Sequence, residues 1–191
     1  MTFSESNNSY SLKVNPIISP EELNSGLWIV LAGIDDIPPH IALILAGKYL
    51  SVSAKKTDLA TPIESLLKAL SHRSVPTLFI KLSESFIQNE ELGWAGFGLK
   101  TIPIFAEYRT LGNGEHSCLW PIRDFFAKTF SEKYLKASLV FELLAMAEKD
   151  GLIIECKSLF LESAVKGTVT LPKYTHEQIR EKINSLRLLQ K

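Results

Sequence analysis

His40-Ile41-Ala42-Leu43-Ile44-Leu45-Ala46-Gly47-Lys48-Tyr49-Leu50-Ser51-Val52-Ser53 sets two strand-length runs on either side of Ala46-Gly47. A tight turn at that dipeptide joins such runs into an antiparallel hairpin. Leu45 then faces Lys48, and counting back along both strands sets Ser53 opposite His40 and Ser51 opposite Ala42 on the same face. Directly opposed side chains stand roughly 4.5–5.5 Å apart at Cβ, close enough for Ser53 to hydrogen-bond the imidazole. The loop Gly33-Ile34-Asp35-Asp36-Ile37-Pro38-Pro39 delivers His40 to the start of its strand. His40 is then either an ordinary residue at a strand end or a histidine oriented by a polar neighbour.

Upstream of the hairpin, the continuous apolar run Leu27–Ala32 predicts a buried strand. Ser19-Pro20-Glu21-Glu22 has the form of a capping box and predicts a short helical turn that Gly26 ends. Residues 1–18 are Ser/Asn-rich and predict a loose lead-in with an extended piece over 12–18. Downstream, Thr61-Pro62-Ile63-Glu64 repeats the capping box, and Ile63, Leu66, Leu67 and Leu70 line one face of a helix ending near His72-Arg73. There His72 reads as a cation at a helix C-terminus. Residues 75–82 predict a strand. The segment Gly93-Trp94-Ala95-Gly96-Phe97-Gly98 lacks the spacing of a dinucleotide fingerprint and reads as a connecting loop with packed aromatics or as a flap over a cleft. Residues 100–109 predict a strand through Ile102, Ile104 and Phe105, and Leu111-Gly112-Asn113-Gly114 predicts a turn.

That turn leads to Glu115-His116-Ser117-Cys118-Leu119-Trp120-Pro121. Proline has no N–H and a φ already near the helical value, so it belongs in a first helical turn. Cys118 therefore stands at the mouth of a helix, where unpaired N–H groups and the helix dipole favour a thiolate. The competing reading is a loop cysteine beside a buried Trp120. A helix over residues 120–130 is followed, after Ser131 as its cap, by a longer one to Asp150 that Gly151 stops. Residues 152–162 predict a strand with Cys156 packed in it. Thr175-His176-Glu177-Gln178 caps a last helix, over 175–191, whose Ile179, Ile183 and Leu186 recur on one face and whose partner is the core or another protein.

The 191 residues, 46% of them hydrophobic, suit a single domain with a sizeable core. Twenty-one basic and 21 acidic side chains balance with no run of like charge, which argues against nucleic acid or an anionic membrane as partner. The polar N-terminus and the strand-length apolar runs predict no membrane span and a cytoplasmic protein, or a secreted one if a signal peptide has been trimmed. Two cysteines, and no histidine at ligand spacing from another, predict neither a disulfide scaffold nor a metal site, and no cofactor signature stands out.

A histidine opening a strand, in His40-Ile41-Ala42-Leu43-Ile44-Leu45-Ala46-Gly47-Lys48, and a later cysteine opening a helix, in Ser117-Cys118-Leu119-Trp120-Pro121-Ile122, resemble the circularly permuted papain-like thiol hydrolases. Permuted NlpC-type peptidases and relatives of lecithin retinol acyltransferase share that order, and the resemblance spans residues 27–130. It implies Cys118 as nucleophile and His40 as base, acting on a peptide, isopeptide or acyl substrate through a thioester. Family members often carry a second histidine about twelve residues after the first; Val52 stands there, leaving Ser53 as the third residue, with Ser51, Glu107 or His116 as alternatives. The expected fold is α+β, with a small, mostly antiparallel sheet and the Cys118 helix packed against it. The expected function is a cysteine hydrolase or, alternatively, a non-catalytic partner-binding domain, including a degenerate relative of such enzymes. A flap would comprise Gly93, Trp94, Gly96, Phe97 and Gly98, and a protein partner would use the Trp94–Phe97 region or the C-terminal helix.

Overall fold

A computed structural model describes residues 9–16, 20–53, 57–85, 93–108, 117–161 and 167–188. The first strands are β1 (Ser9–Lys13) and β2 (Asn15–Pro16), followed by a 3-10 turn at Pro20–Asn24, β3 (Leu27–Ala32), β4 (His40–Leu45), β5 (Lys48–Val52) and β6 (Thr57–Pro62). Helix α1 (Ile63–His72), β7 (Thr77–Leu82), α2 (Gly93–Glu107) and α3 (Leu119–Thr129) come next. A 3-10 turn at Glu132–Lys136, α4 (Val140–Lys149), β8 (Ile153–Leu159), β9 (Thr168–Pro172) and α5 (His176–Leu188) complete the order. The fold is α+β and mostly antiparallel. One sheet has seven strands in the order β2-β8-β7-β3-β4-β5-β6, parallel only where β2 meets β8, and β1 pairs with β9 in a second sheet.

Strand β3 lies inside the large sheet, and both of its faces are covered. Leu27, Ile29 and Leu31 enter one core while Trp28 and Val30 enter the other, which is why the strand reads as an unbroken apolar run instead of an alternation. Phe97 and Phe105 of α2, Ile122, Phe125 and Phe126 of α3, and Leu143 and Leu144 of α4 build the first core. Its rings meet edge to face, Phe97–Phe125 at 5.7 Å and Phe126–Tyr134 at 5.1 Å between centroids. On the opposite face α1 is laid over the sheet, burying Ile63 and Leu70 with Phe79 and with Leu23 of the 3-10 turn.

The expected hairpin is present, with Leu45 paired to Lys48. Ala46 and Gly47 have φ of 45° and 75°, the left-handed pair that matches the twist of the flanking strands. A side chain at Gly47 would meet the Asn24 backbone at 3.2 Å, so this position requires glycine twice over. The final helix opens as expected: Thr175 accepts from the Gln178 N–H while Gln178 accepts from the Thr175 N–H. Ile179 packs against the core.

Four expectations are corrected. Residues 100–107 of the expected strand 100–109 are helical, and 109 lies outside the described residues. They continue α2, because Phe97, Thr101, Ile104 and Phe105 form a buried helical stripe that outweighs the local alternation of Ile102 and Ile104. Pro103 is tolerated inside the helix because it lies on the exposed side with Leu99, whose carbonyl it leaves open to water.

Gly93, Trp94, Gly96, Phe97 and Gly98 form the start of α2, with Gly96 and Phe97 buried, and not a loop or flap. Thr61 caps no helix; it belongs to β6 and donates its hydroxyl to Asp58, and α1 begins without a side-chain cap. The long helix to Asp150 is broken. Ser131 caps only the 3-10 turn, and Glu142 folds back onto the N–H groups of Ser138 and Leu139 to start α4 afresh. The sequence reading also passed over β6 and β9. Ser19, the turn at 111–114 and His116 lie outside the described residues.

Candidate functional site

Pro121 does set the helix start where the sequence predicted: α3 opens directly after Cys118. The thiol is nonetheless not poised for attack. The residue keeps some contact with solvent, but its sulfur is enclosed, and burial pushes the thiol pKa up from its ordinary value. The backbone N–H groups of Ile41, Cys118 and Leu119 pull the other way without overcoming it. Cys118 packs against the core that holds Ile41 and Leu43.

His40 faces the other way. Successive side chains alternate along a strand, so His40 shares its face with Ala42 and Ile44, which belong to the α1 core. No hydrogen bond joins it to Cys118. Its Nε2 instead meets Ser51 Oγ at 2.7 Å, with the Tyr49 hydroxyl at 3.4 Å. Burial lowers the imidazole pKa, and Asp58 opposes that shift through its charge. Asp58 lies on β6 directly across from Ser51, so three neighbouring strands contribute to one polar cluster. Burial also raises the Tyr49 phenol to about 12, which keeps it a neutral hydroxyl.

Ser51, not Ser53, is therefore the histidine's partner. The pairing of β4 with β5 runs from Leu45↔Lys48 to Leu43↔Leu50 and is not continued to His40. Beyond Tyr49 the register with β6 also shifts, at a bulge where Ala60 has φ of 61°. Ser51 consequently reaches the imidazole along the diagonal. Ser51 is itself only 1% exposed, so its hydroxyl orients the ring and does not meet substrate. Glu107 ends α2 on its exposed side, next to Tyr108, which bonds Asp124 of α3 at 2.5 Å.

Two concavities flank these residues. One, of about 540 Å³, has His40 and Tyr49 in its lining together with Asp36, Leu70, His72 and Arg73. The sequence reading assigned His72 to the helix end alone; its proximity to His40 depends on how α1 crosses the sheet, and no local pattern encodes that. The other, of about 260 Å³, runs between α2 and the β4–β5 hairpin and is lined by Leu45, Leu50, Trp94, Leu99 and Ile102. Among the described residues no cluster of three or more metal-ligating side chains occurs, and no helix is long and apolar enough to cross a membrane. Comparison with family models, curated proteins and solved structures found no match.

Proposed function

We propose that this chain is a non-catalytic binding domain, built as a degenerate relative of the permuted papain-like hydrolases, that receives a protein partner in the groove beside α2. The observation that carries this reading is the separation of the thiol from the imidazole. Cys118 is closed off with the aromatic core, and His40 is committed to Ser51 on the opposite face. A thioester mechanism needs the two within hydrogen-bond reach. The antiparallel sheet and the packing of the Cys118 helix against β4 support the papain-like ancestry.

The groove supports the positive half of the proposal. Leu99 is 68% exposed and stands with Trp94 and Ile102 around an apolar concavity, a feature that marks recognition surfaces when it is contiguous. Lys48 lies at the same groove and makes no ion pair among the described residues. The partner that fits is a protein segment presenting an apolar side chain beside a carboxylate.

Alkylation by iodoacetamide near neutral pH, read by mass spectrometry, tests the reading. Both Cys118 and Cys156 should react slowly and alike, since burial also drives the Cys156 thiol up to about 12. Fast reaction confined to Cys118 and abolished by His40→Ala would reinstate the cysteine hydrolase. For the groove, anilinonaphthalene sulfonate should brighten on the native chain and much less on Leu99→Asp; equal brightening would remove the groove from the proposal.

A further inference from the structure

The concavity on the α1 side of the sheet has a more polar lining than the groove. Leu66 and Leu70 of α1 and Ala32 of β3 share that lining with His40, Tyr49, Asp36, His72 and Arg73. At about 540 Å³ it falls within the range of small-molecule sites, roughly 300–1,000 Å³.

We infer that this concavity binds a small organic anion, its apolar body against Leu66 and Leu70 and its carboxylate or phosphate head on Arg73. Three observations converge on that ligand. The Arg73 guanidinium makes no ion pair among the described residues, although it lies at the cavity. Nor is it needed to close the helix: the carbonyls of Leu70 and Ser71 already accept from the N–H groups of Val75 and Ser74, with Ser74 left-handed at φ 47°. The negative end of the helix is thereby occupied by backbone donors, and the cation is free for a ligand.

Charge in the lining also favours an anion. His72 precedes Arg73 in the chain, and the Asp36 carboxylate that shares the lining has Lys182 of α5 at 3.9 Å. His40 uses Nε2 on Ser51 and Tyr49, and its Nδ1 finds no hydrogen-bond partner among the described residues. The ring is half-buried in the cavity lining, which leaves that nitrogen to solvent or a ligand. A polar atom of the ligand, placed between head and body, would satisfy it.

Titration of ¹⁵N-labelled full-length chain with phenyl phosphate, benzoate and inorganic phosphate, followed by amide shifts, tests the inference. Phenyl phosphate or benzoate should produce saturable shifts at Gly33, Leu70 and Arg73, with a Kd about tenfold or more below that of inorganic phosphate. The tighter of the two aryl probes identifies the head group. Arg73→Gln should weaken it about tenfold, and its unperturbed spectrum elsewhere would verify the fold, since the exposed side chain supports no described contact. His40→Gln should weaken phenyl phosphate, whose ester oxygen stands between ring and head, and leave benzoate and inorganic phosphate unchanged. Shifts that do not saturate, equal affinity for aryl and inorganic anions, or indifference to Arg73→Gln would each overturn the inference.

Discussion

Strand β4 sends Ile41, Leu43 and Leu45 into one core and His40, Ala42 and Ile44 towards the other, and the two sides are closed differently. On the first, α2, α3 and the 3-10 turn after α3 bring an aromatic cluster that includes Phe97, Phe125, Phe126 and Tyr134. On the second, α1 and the 3-10 turn at Pro20–Asn24 cover the strands, and the concavity opens beside His40. A close-packed layer excludes solvent and ligand alike, so it holds Cys118 as a packed side chain. The thinner layer keeps its polar groups reachable. The chemically suggestive cysteine thus packs against the fuller layer, and the histidine lines the concavity of the thinner one.

The comparison sharpens most under truncation of each layer. Phe126→Ala should cost about 3–5 kcal/mol in urea unfolding, because the ring is fully buried among other rings. Leu66→Ala, half-buried at the rim of an existing cavity, should cost about 1 kcal/mol. Equal losses would mean that the two sides are packed alike.

A smaller effect is expected at the polar cluster. Ser51→Ala removes the 2.7 Å bond to His40 and leaves an enclosed imidazole with the longer Tyr49 contact, for a loss of about 1–2 kcal/mol. A loss within roughly 0.5 kcal/mol, typical of an ordinary surface change, would show that the ring draws no support from Ser51.

The polar cluster also sets a dependence on pH. The folded pKa of His40 is lowered by burial, whereas the unfolded value is about 6.5. As pH falls below that value the unfolded chain binds a proton that the folded chain refuses. Stability therefore declines towards acid, by at most about 1.4 kcal/mol per pH unit for one group, until the folded pKa is passed. His40→Gln should flatten that part of the profile in denaturation measured between about pH 5 and 7. An unchanged slope would show that the imidazole is not held neutral.

Much of the fold is legible where a signal is local. Leu27–Ala32 and the hairpin around Ala46-Gly47 appear as read, since an apolar run and a positive-φ dipeptide act within a few residues. Pro121 similarly locates the start of α3. Residues 93–107 were misread because three glycines and a proline suggest breaks, whereas Phe97, Ile104 and Phe105 are held helical by rings arriving from α3. A uniform hairpin register points to Ser53 and not to Ser51. The ladder's early end and the β6 bulge belong to a third strand that the hairpin's own sequence does not contain.

By itself, the sequence determined that His40 begins a strand, that Cys118 begins a helix, and that both belong to an α+β chain, because turn chemistry, proline geometry and hydrophobic periodicity operate over short stretches. Only the tertiary structure decided which way the two side chains face. That outcome depends on α1 covering one side of β4 while α2, α3 and α4 cover the other, a long-range division of apolar surface. The same division carries His72 and Arg73 to the His40 concavity, a grouping set by how a helix lies across a sheet and by no spacing along the chain.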